Sequence, residues 1–199
     1  MSFVPEPVGR RERNKQQKLD RITAAATELF AERGVDEVTT QQIAEKADVG
    51  TGTVFLYAKT KGELLLLVQN ANYSDALERG RSDAETVSDV LDAVMAIIEP
   101  IVRCNRTQVD NGRTYLREMV FGNPEEPHHA EALAIVVRTE EAVAAVLRRS
   151  ERVGEAAAAT LAHVVSAIMF LAMAATVDKD RSVDEIVKNI RAQVSALLP

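Results

Sequence analysis

From Ala156 to Val177 the chain runs for 22 residues without an Asp, Glu, Lys or Arg. As a helix this segment would rise about 33 Å, at 1.5 Å per residue. It has to hide most of its perimeter, either in a bilayer or among other helices. Much of it is alanine, which transfer scales place near neutral; His163 lies inside it, and its basic flanks are weak. These features oppose a membrane span. Small alanines instead let neighbouring helices approach closely. The following segment, "SVDEIVKNIRAQVSALL", supplies an amphipathic partner with Ile186, Ile190, Val194 and Leu197 at helical spacing. Two such helices from each of two chains make a four-helix bundle. The expected interface is Ala167, Phe170, Ala174, Ile186, Ile190 and Val194, with a second copy of the chain as partner and no membrane.

Composition extends the all-α expectation to the rest of the chain. Hydrophobic residues make up 46% and aromatic residues only 4%, with no β-branched runs alternating with polar residues. A length of 199 residues holds one domain with a good core, or a small domain on a larger body. The lone Cys104 excludes an intramolecular disulfide and, with no signal-like start, fits a reducing cytoplasm. No Gly-rich phosphate loop, nucleophile elbow or cysteine pair is present, so we expect neither an enzyme nor a cofactor. His128 and His129 are adjacent and point different ways, which reads as a solvated helix start and not as a metal site.

Net charge is −6, which by itself opposes nucleic acid, but the charge is segregated. Residues 10–21, "RRERNKQQKLDR", carry six Arg or Lys against Glu12 and Asp20, while residues 62–199 carry a net −7. A basic leading edge on an acidic body is compatible with a small nucleic-acid head.

The order of elements sharpens this. "MSFVPEPVG" reads as a disordered lead-in, and the basic lead-in as a whole is assigned to residues 1–13. Leu19, Ile22, Ala26, Leu29 and Phe30 then predict an amphipathic helix that Gly34 stops. Thr39 and Gln42 form a capping box for a second helix. In "DVG", Asp48 tolerates the left-handed conformation. A short third helix is expected from Thr51 to Tyr57, and Thr60 with Glu63 makes a second capping box for a long fourth helix. Two short helices joined by a tight turn, behind a longer one, describe a helix-turn-helix head over residues 14–62. Ile43, Val49 and Val54 fill its core. Thr51, Gly52, Thr53, Phe55, Leu56 and Tyr57 are left outside, a surface suited to the major groove of duplex DNA. Lys61 opposes the macrodipole of the helix it opens, a liability that a DNA phosphate would convert into a charge-assisted contact.

Residues 39–65, "TTQQIAEKADVGTGTVFLYAKTKGELL", resemble the helix-turn-helix signature of the TetR family of bacterial transcriptional repressors. The matching positions are Thr39, Ile43, Ala44, Ala47, Val49, Gly52, Thr53, Val54, Tyr57, Lys61, Glu63 and Leu64. The resemblance implies that Thr40 and Lys61 hold phosphates, and that Gln41, Thr51, Thr53 and Tyr57 lie in or beside the groove. Three positions depart from the family pattern. Asp48 replaces a turn glycine, Phe55 replaces a tyrosine whose hydroxyl commonly reaches phosphate, and Ala58 stands where an aromatic is usual.

The body, residues 63–199, then serves effector binding and dimerisation. Pro100 is expected to kink or divide the helix of "VSDVLDAVMAIIEPIV". Val94, Met95, Ile98, Tyr115, Met119 and Phe121 are expected to line a pocket for a small, mainly apolar effector. The function expected is a homodimeric, cytoplasmic, ligand-responsive repressor on a palindromic operator. The alternative is a helical protein-interaction or cofactor-binding module that uses Phe55 to Tyr57 on a protein partner.

Overall fold

A computed structural model of the chain describes residues 9–175, 177 and 180–198. Nine α-helices and no strand occur among the described residues. They are α1 (Arg10–Arg33), α2 (Thr40–Lys46), α3 (Thr51–Val54), α4 (Lys61–Glu85), α5 (Val90–Arg106), α6 (Val109–Phe121), α7 (Pro127–Leu147), α8 (Glu155–Ala174) and α9 (Val183–Leu197).

The head follows its local signals. On α1 the stripe Ile22, Ala25, Ala26, Leu29 and Phe30 is buried, and Gly34, at φ +81°, ends the helix by returning its N–H to the Phe30 carbonyl. The expected lead-in lies partly outside the described residues, but residues 10–13 already form the first turn of α1. Thr39 and Gln42 cap each other at the start of α2. Asp48 takes φ +51° in the turn and accepts a hydrogen bond from Arg21 at 3.3 Å. The third helix is shorter than expected: α3 stops at Val54, and the N–H groups of Leu56 and Tyr57 bond three residues back to the Thr53 and Val54 carbonyls. Ile43, Ala47, Val54 and Ala58 are buried between these elements, with Val49 partly so.

Helix α4 joins head to body without a break, so the expected boundary at residue 62 falls inside a continuous helix. It packs against α1, α5, α6 and α7. At Gly80 a Cβ would lie 2.8 Å from the Ala96 carbonyl oxygen and the Ile97 Cα, so the α4–α5 crossing leaves no room for a side chain. Helix α5 continues as one element through Pro100, which does not divide it.

Two expectations about the C-terminal helices separate here. Helix α8 is long and apolar enough to cross a membrane by length and composition, yet it packs on α5, α6, α7 and α9. Only 33% of its apolar window is buried inside the protomer, and Leu171 on its outer side is 65% exposed. Ile186, Ile190 and Val194 do not form an interface. All three are fully buried in their own protomer, where α9 lays its stripe on α5 and α8. Helical periodicity shows that a face is covered, and here the chain's own α5 supplies the cover.

Candidate nucleic-acid interface and effector cavity

The residues assigned to DNA sit on α2, on α3 and the turn after it, and at the start of α4. Gln41 and Gly52 are exposed; Thr40, Thr51, Thr53, Tyr57 and Lys61 are half-buried. Phe55 is 46% exposed and Leu56 82%. A Cβ built on Gly52 would meet nothing within 4 Å, so packing inside the chain does not require glycine there. The Tyr57 hydroxyl donates to the Lys15 carbonyl at 2.9 Å, which ties the end of the recognition segment to α1. Lys61 Nζ donates to the Asp36 carbonyl at 3.1 Å. Along α1, Arg10, Arg11, Arg13, Lys15 and Lys18 are all exposed. The arrangement is a short helix with hydroxyl side chains, a turn after it that exposes Phe55 and Leu56, and a tie at Tyr57 to the cation-bearing α1.

The body carries a partly open, mainly apolar cavity of about 320 Å³ among α4 to α8. Tyr115 and Met119 line it, as expected. Val94, Met95 and Ile98 do not, because they are packed solidly in the core. Phe121 is 80% exposed at the end of α6 and borders a separate pocket of about 300 Å³ beside Arg113 and Arg117. Ala167 and Phe170, expected at an interface, line the apolar cavity, and Ala174 borders the pocket beside it. The wall that sequence reasoning missed is α7, through Ala132, Leu133, Val136 and Thr139. A larger cleft of about 770 Å³ between α1 and α4–α5 has charged walls, Asp75, Arg79, Glu99 and Arg103 among them, and suits water better than an apolar ligand.

Of the polar groups lining the cavity, Glu140 and His163 pair at 3.0 Å and the two tyrosines bond to asparagines behind the wall. Tyr73 and Tyr115 stack with ring centroids 4.2 Å apart. The Tyr115 hydroxyl donates to Asn70 Oδ1 at 2.9 Å, and the Tyr73 oxygen accepts from Asn105 Nδ2 at 2.7 Å. Burial raises both phenols well above the usual tyrosine range, so both stay neutral. Burial likewise pushes the Cys104 thiol up to about 11.

The histidine pair differs from its expected solvated state. His129 is buried, and neither ring nitrogen finds a hydrogen-bond partner among the described residues. The His128 Nε2–H reaches the Tyr57 carbonyl at 3.0 Å. No group of His, Cys, Asp and Glu able to hold a metal occurs among the described residues.

Fold and site together define a helix-turn-helix head on a helical body that carries an apolar cavity. Residues 22–68 match the family described as bacterial regulatory proteins, tetR family. That match covers the helix-turn-helix head and the start of α4. It is 28% identical over 86 residues to the fatty acid metabolism regulator protein of Bacillus subtilis (strain 168), a match covering 43% of this chain and 44% of that relative's length. Among solved structures, a TetR transcriptional regulator from Rhodococcus sp. RHA1 superposes with a TM-score of 0.71 at 17% identity, covering 93% of this chain and 97% of that one. Thermus thermophilus FadR, a TetR-family repressor in complex with lauroyl-CoA, gives 0.70 at 19% identity over 90% and 94%. At these identities the likeness is one of fold.

Proposed function

We propose that the chain is a homodimeric, cytoplasmic repressor that binds a roughly palindromic operator and releases it when a fatty-acyl effector enters the apolar cavity. The observation that carries the DNA reading is the exposure of Phe55 and Leu56 beside an unobstructed Gly52, on a segment tied at Tyr57 to the cation-bearing α1. Apolar groups so exposed favour a partner that buries them, and thymine methyls in the major groove do so. Thr40, Gln41, Thr51, Thr53, Tyr57 and Lys61 surround them. The effector reading rests on the cavity, whose exposed lining is mainly apolar, with the Tyr115 hydroxyl bonded to Asn70 and Glu140 paired with His163. A hydrocarbon chain suits such walls. The fatty acid regulator of Bacillus subtilis and the lauroyl-CoA complex of the Thermus protein support this ligand class. The dimer reading rests on the outer faces of α7 and α8, where Leu133, Val137 and Leu171 are exposed beside Ala167. A second copy is the natural cover for a face this apolar.

The test is selection of duplex fragments by the purified protein, followed by titration of the selected site at several salt concentrations. Affinity should fall steeply with salt. Lys61→Ala should weaken all sequences alike and flatten the salt slope by about one unit. Tyr57→Ala should impair the selected site in particular. A salt-independent interaction, or affinity unchanged by both substitutions, would assign the Phe55–Tyr57 surface to a protein partner instead.

A further inference from the structure

We propose that the first turn of α7 carries the state of the cavity to the recognition helix, with Glu63, Asn70 and His128 as its positioning residues. The proposal rests on the reading of the cavity as the effector site.

At the start of α4 a capping box is only half formed. Thr60 accepts the Glu63 N–H at 3.0 Å, but the Glu63 carboxylate does not return to the Thr60 backbone. It accepts the backbone N–H of His128 at 2.8 Å instead. That N–H belongs to the first turn of α7 and has no partner within its own helix. The N-cap residue of α7, Glu126, provides no side-chain cap, because its carboxylate pairs with Lys59 at 2.7 Å. One buried carboxylate on α4 therefore caps α7, at the positive end of its dipole.

The same turn holds the recognition segment. His128 Nε2 donates to the Tyr57 carbonyl at 3.0 Å, which fixes the ring in a form protonated at Nε2. Tyr57 ends the segment that presents Gly52 and Phe55. Lys59, two residues on, is the partner of Glu126. Three contacts thus join residues 57–63 to residues 126–128.

Cavity and clasp meet at Asn70, which is 1% exposed. Its Oδ1 accepts from the Tyr115 hydroxyl, and its Nδ2 donates to the His128 carbonyl at 2.9 Å and to Glu131 at 3.0 Å. The amide cannot be turned over without facing its NH₂ toward the hydroxyl and its oxygen toward two acceptors. Tyr115 is a cavity wall, and later turns of α7 wall the cavity through Ala132 and Val136. A ligand that shifts Tyr115 or α7 disturbs the bonds on His128, and with them the support of Tyr57. The second head–body joint, at Asn111, does not border this cavity.

The test compares wild type with His128→Ala, Glu63→Ala and Glu63→Gln, using lauroyl-CoA as probe and a duplex selected by the wild type. Three quantities are measured: probe affinity of the free protein, operator affinity with and without probe, and amide exchange of residues 55–63 in the absence of both. In His128→Ala and Glu63→Ala that exchange should rise by about fivefold, the scale of one hydrogen bond. The factor by which probe weakens operator binding should fall by about fivefold or more, while probe affinity stays close to wild type. Glu63→Gln retains an acceptor oxygen and should preserve most of the coupling. An undiminished coupling factor in both alanine variants overturns the proposal. If the probe leaves wild-type operator affinity unchanged, the effector reading fails. The clasp is then decided by exchange alone, and unaltered exchange in His128→Ala overturns it.

Discussion

Replacing Asn111 by Leu removes a joint between body and head at nearly constant volume. Asn111 is 2% exposed; its Oδ1 accepts the Val35 N–H at 2.7 Å, and its Nδ2 donates to the Phe30 carbonyl at 2.9 Å. The two losses are unequal. The Phe30 carbonyl keeps the Gly34 N–H at 3.0 Å, so losing the Asn111 donor costs only the net value of one hydrogen bond, about 0.5–1.5 kcal/mol. Val35 is 1% exposed, and no other hydrogen bond to its N–H occurs among the described residues. Leaving that donor buried and unpaired costs about 1–3 kcal/mol. The variant should therefore lose roughly 2–4 kcal/mol of a total stability of about 5–15 kcal/mol. With a urea slope of about 2 kcal/mol per molar, the midpoint falls by about 1–2 M. The chain has no Trp, so far-UV ellipticity is the suitable signal, and exchange at the Val35 amide gives the local reading. A loss below about 0.5 kcal/mol, the scale of an ordinary surface substitution, would refute the reasoning.

Two other outcomes follow from the same structure. Leu171→Asp should give folded monomers by light scattering at concentrations where the wild type is dimeric, because Leu171 is 65% exposed and its replacement disturbs no core; a dimeric variant, or a monomeric wild type at micromolar concentration, would remove the α7–α8 face as interface. Burial raises the Cys104 thiol from 9.0 to about 11, so the folded state holds that proton more tightly than the unfolded chain. The associated stability is present below about pH 9 and is lost as pH rises through about 11. Cys104→Ala should be less sensitive to pH across that window in thermal melts, and equal slopes would refute this.

What the sequence discloses here is whatever a few neighbouring residues decide among themselves. The Thr39–Gln42 box, the left-handed Asp48 and the buried Ile43 and Val54 are local, and each is found where it was expected. The Thr60–Glu63 pair has the same spacing but a different outcome, because α7 offers Glu63 a better donor from 65 residues away. Amphipathic stripes fail in a related way. Ile186, Ile190 and Val194 announce a covered face without naming the cover, and Val94, Met95 and Ile98 could equally have been core or cavity wall. Phe170, assigned to an interface, lines the cavity. One legible signal was passed over: Asn70, in the apolar run "LLLLVQNANY", is a polar side chain at a core position of its helix and so demands buried partners.

The net charge of −6 offered the weakest guide to function, and the architecture explains why. Helix α4 has 25 residues, so its far end lies about 36 Å from its start beside the head. Screening at physiological salt reduces the field of a charge over about 8 Å. A duplex held against α3 is thus several screening lengths from much of the acidic body, and it feels chiefly the exposed cations of α1. The acidic surface then acts in the opposite sense to its apparent one. It disfavours approach of DNA to the body, and the contrast with the +4 of residues 10–21 orients the head toward the duplex before contact. If the head alone reads bases, as proposed, adding cations to the body should raise non-specific affinity more than specific affinity. Segregation of charge along α4, and not its sum, is what makes this acidic chain compatible with a polyanionic partner.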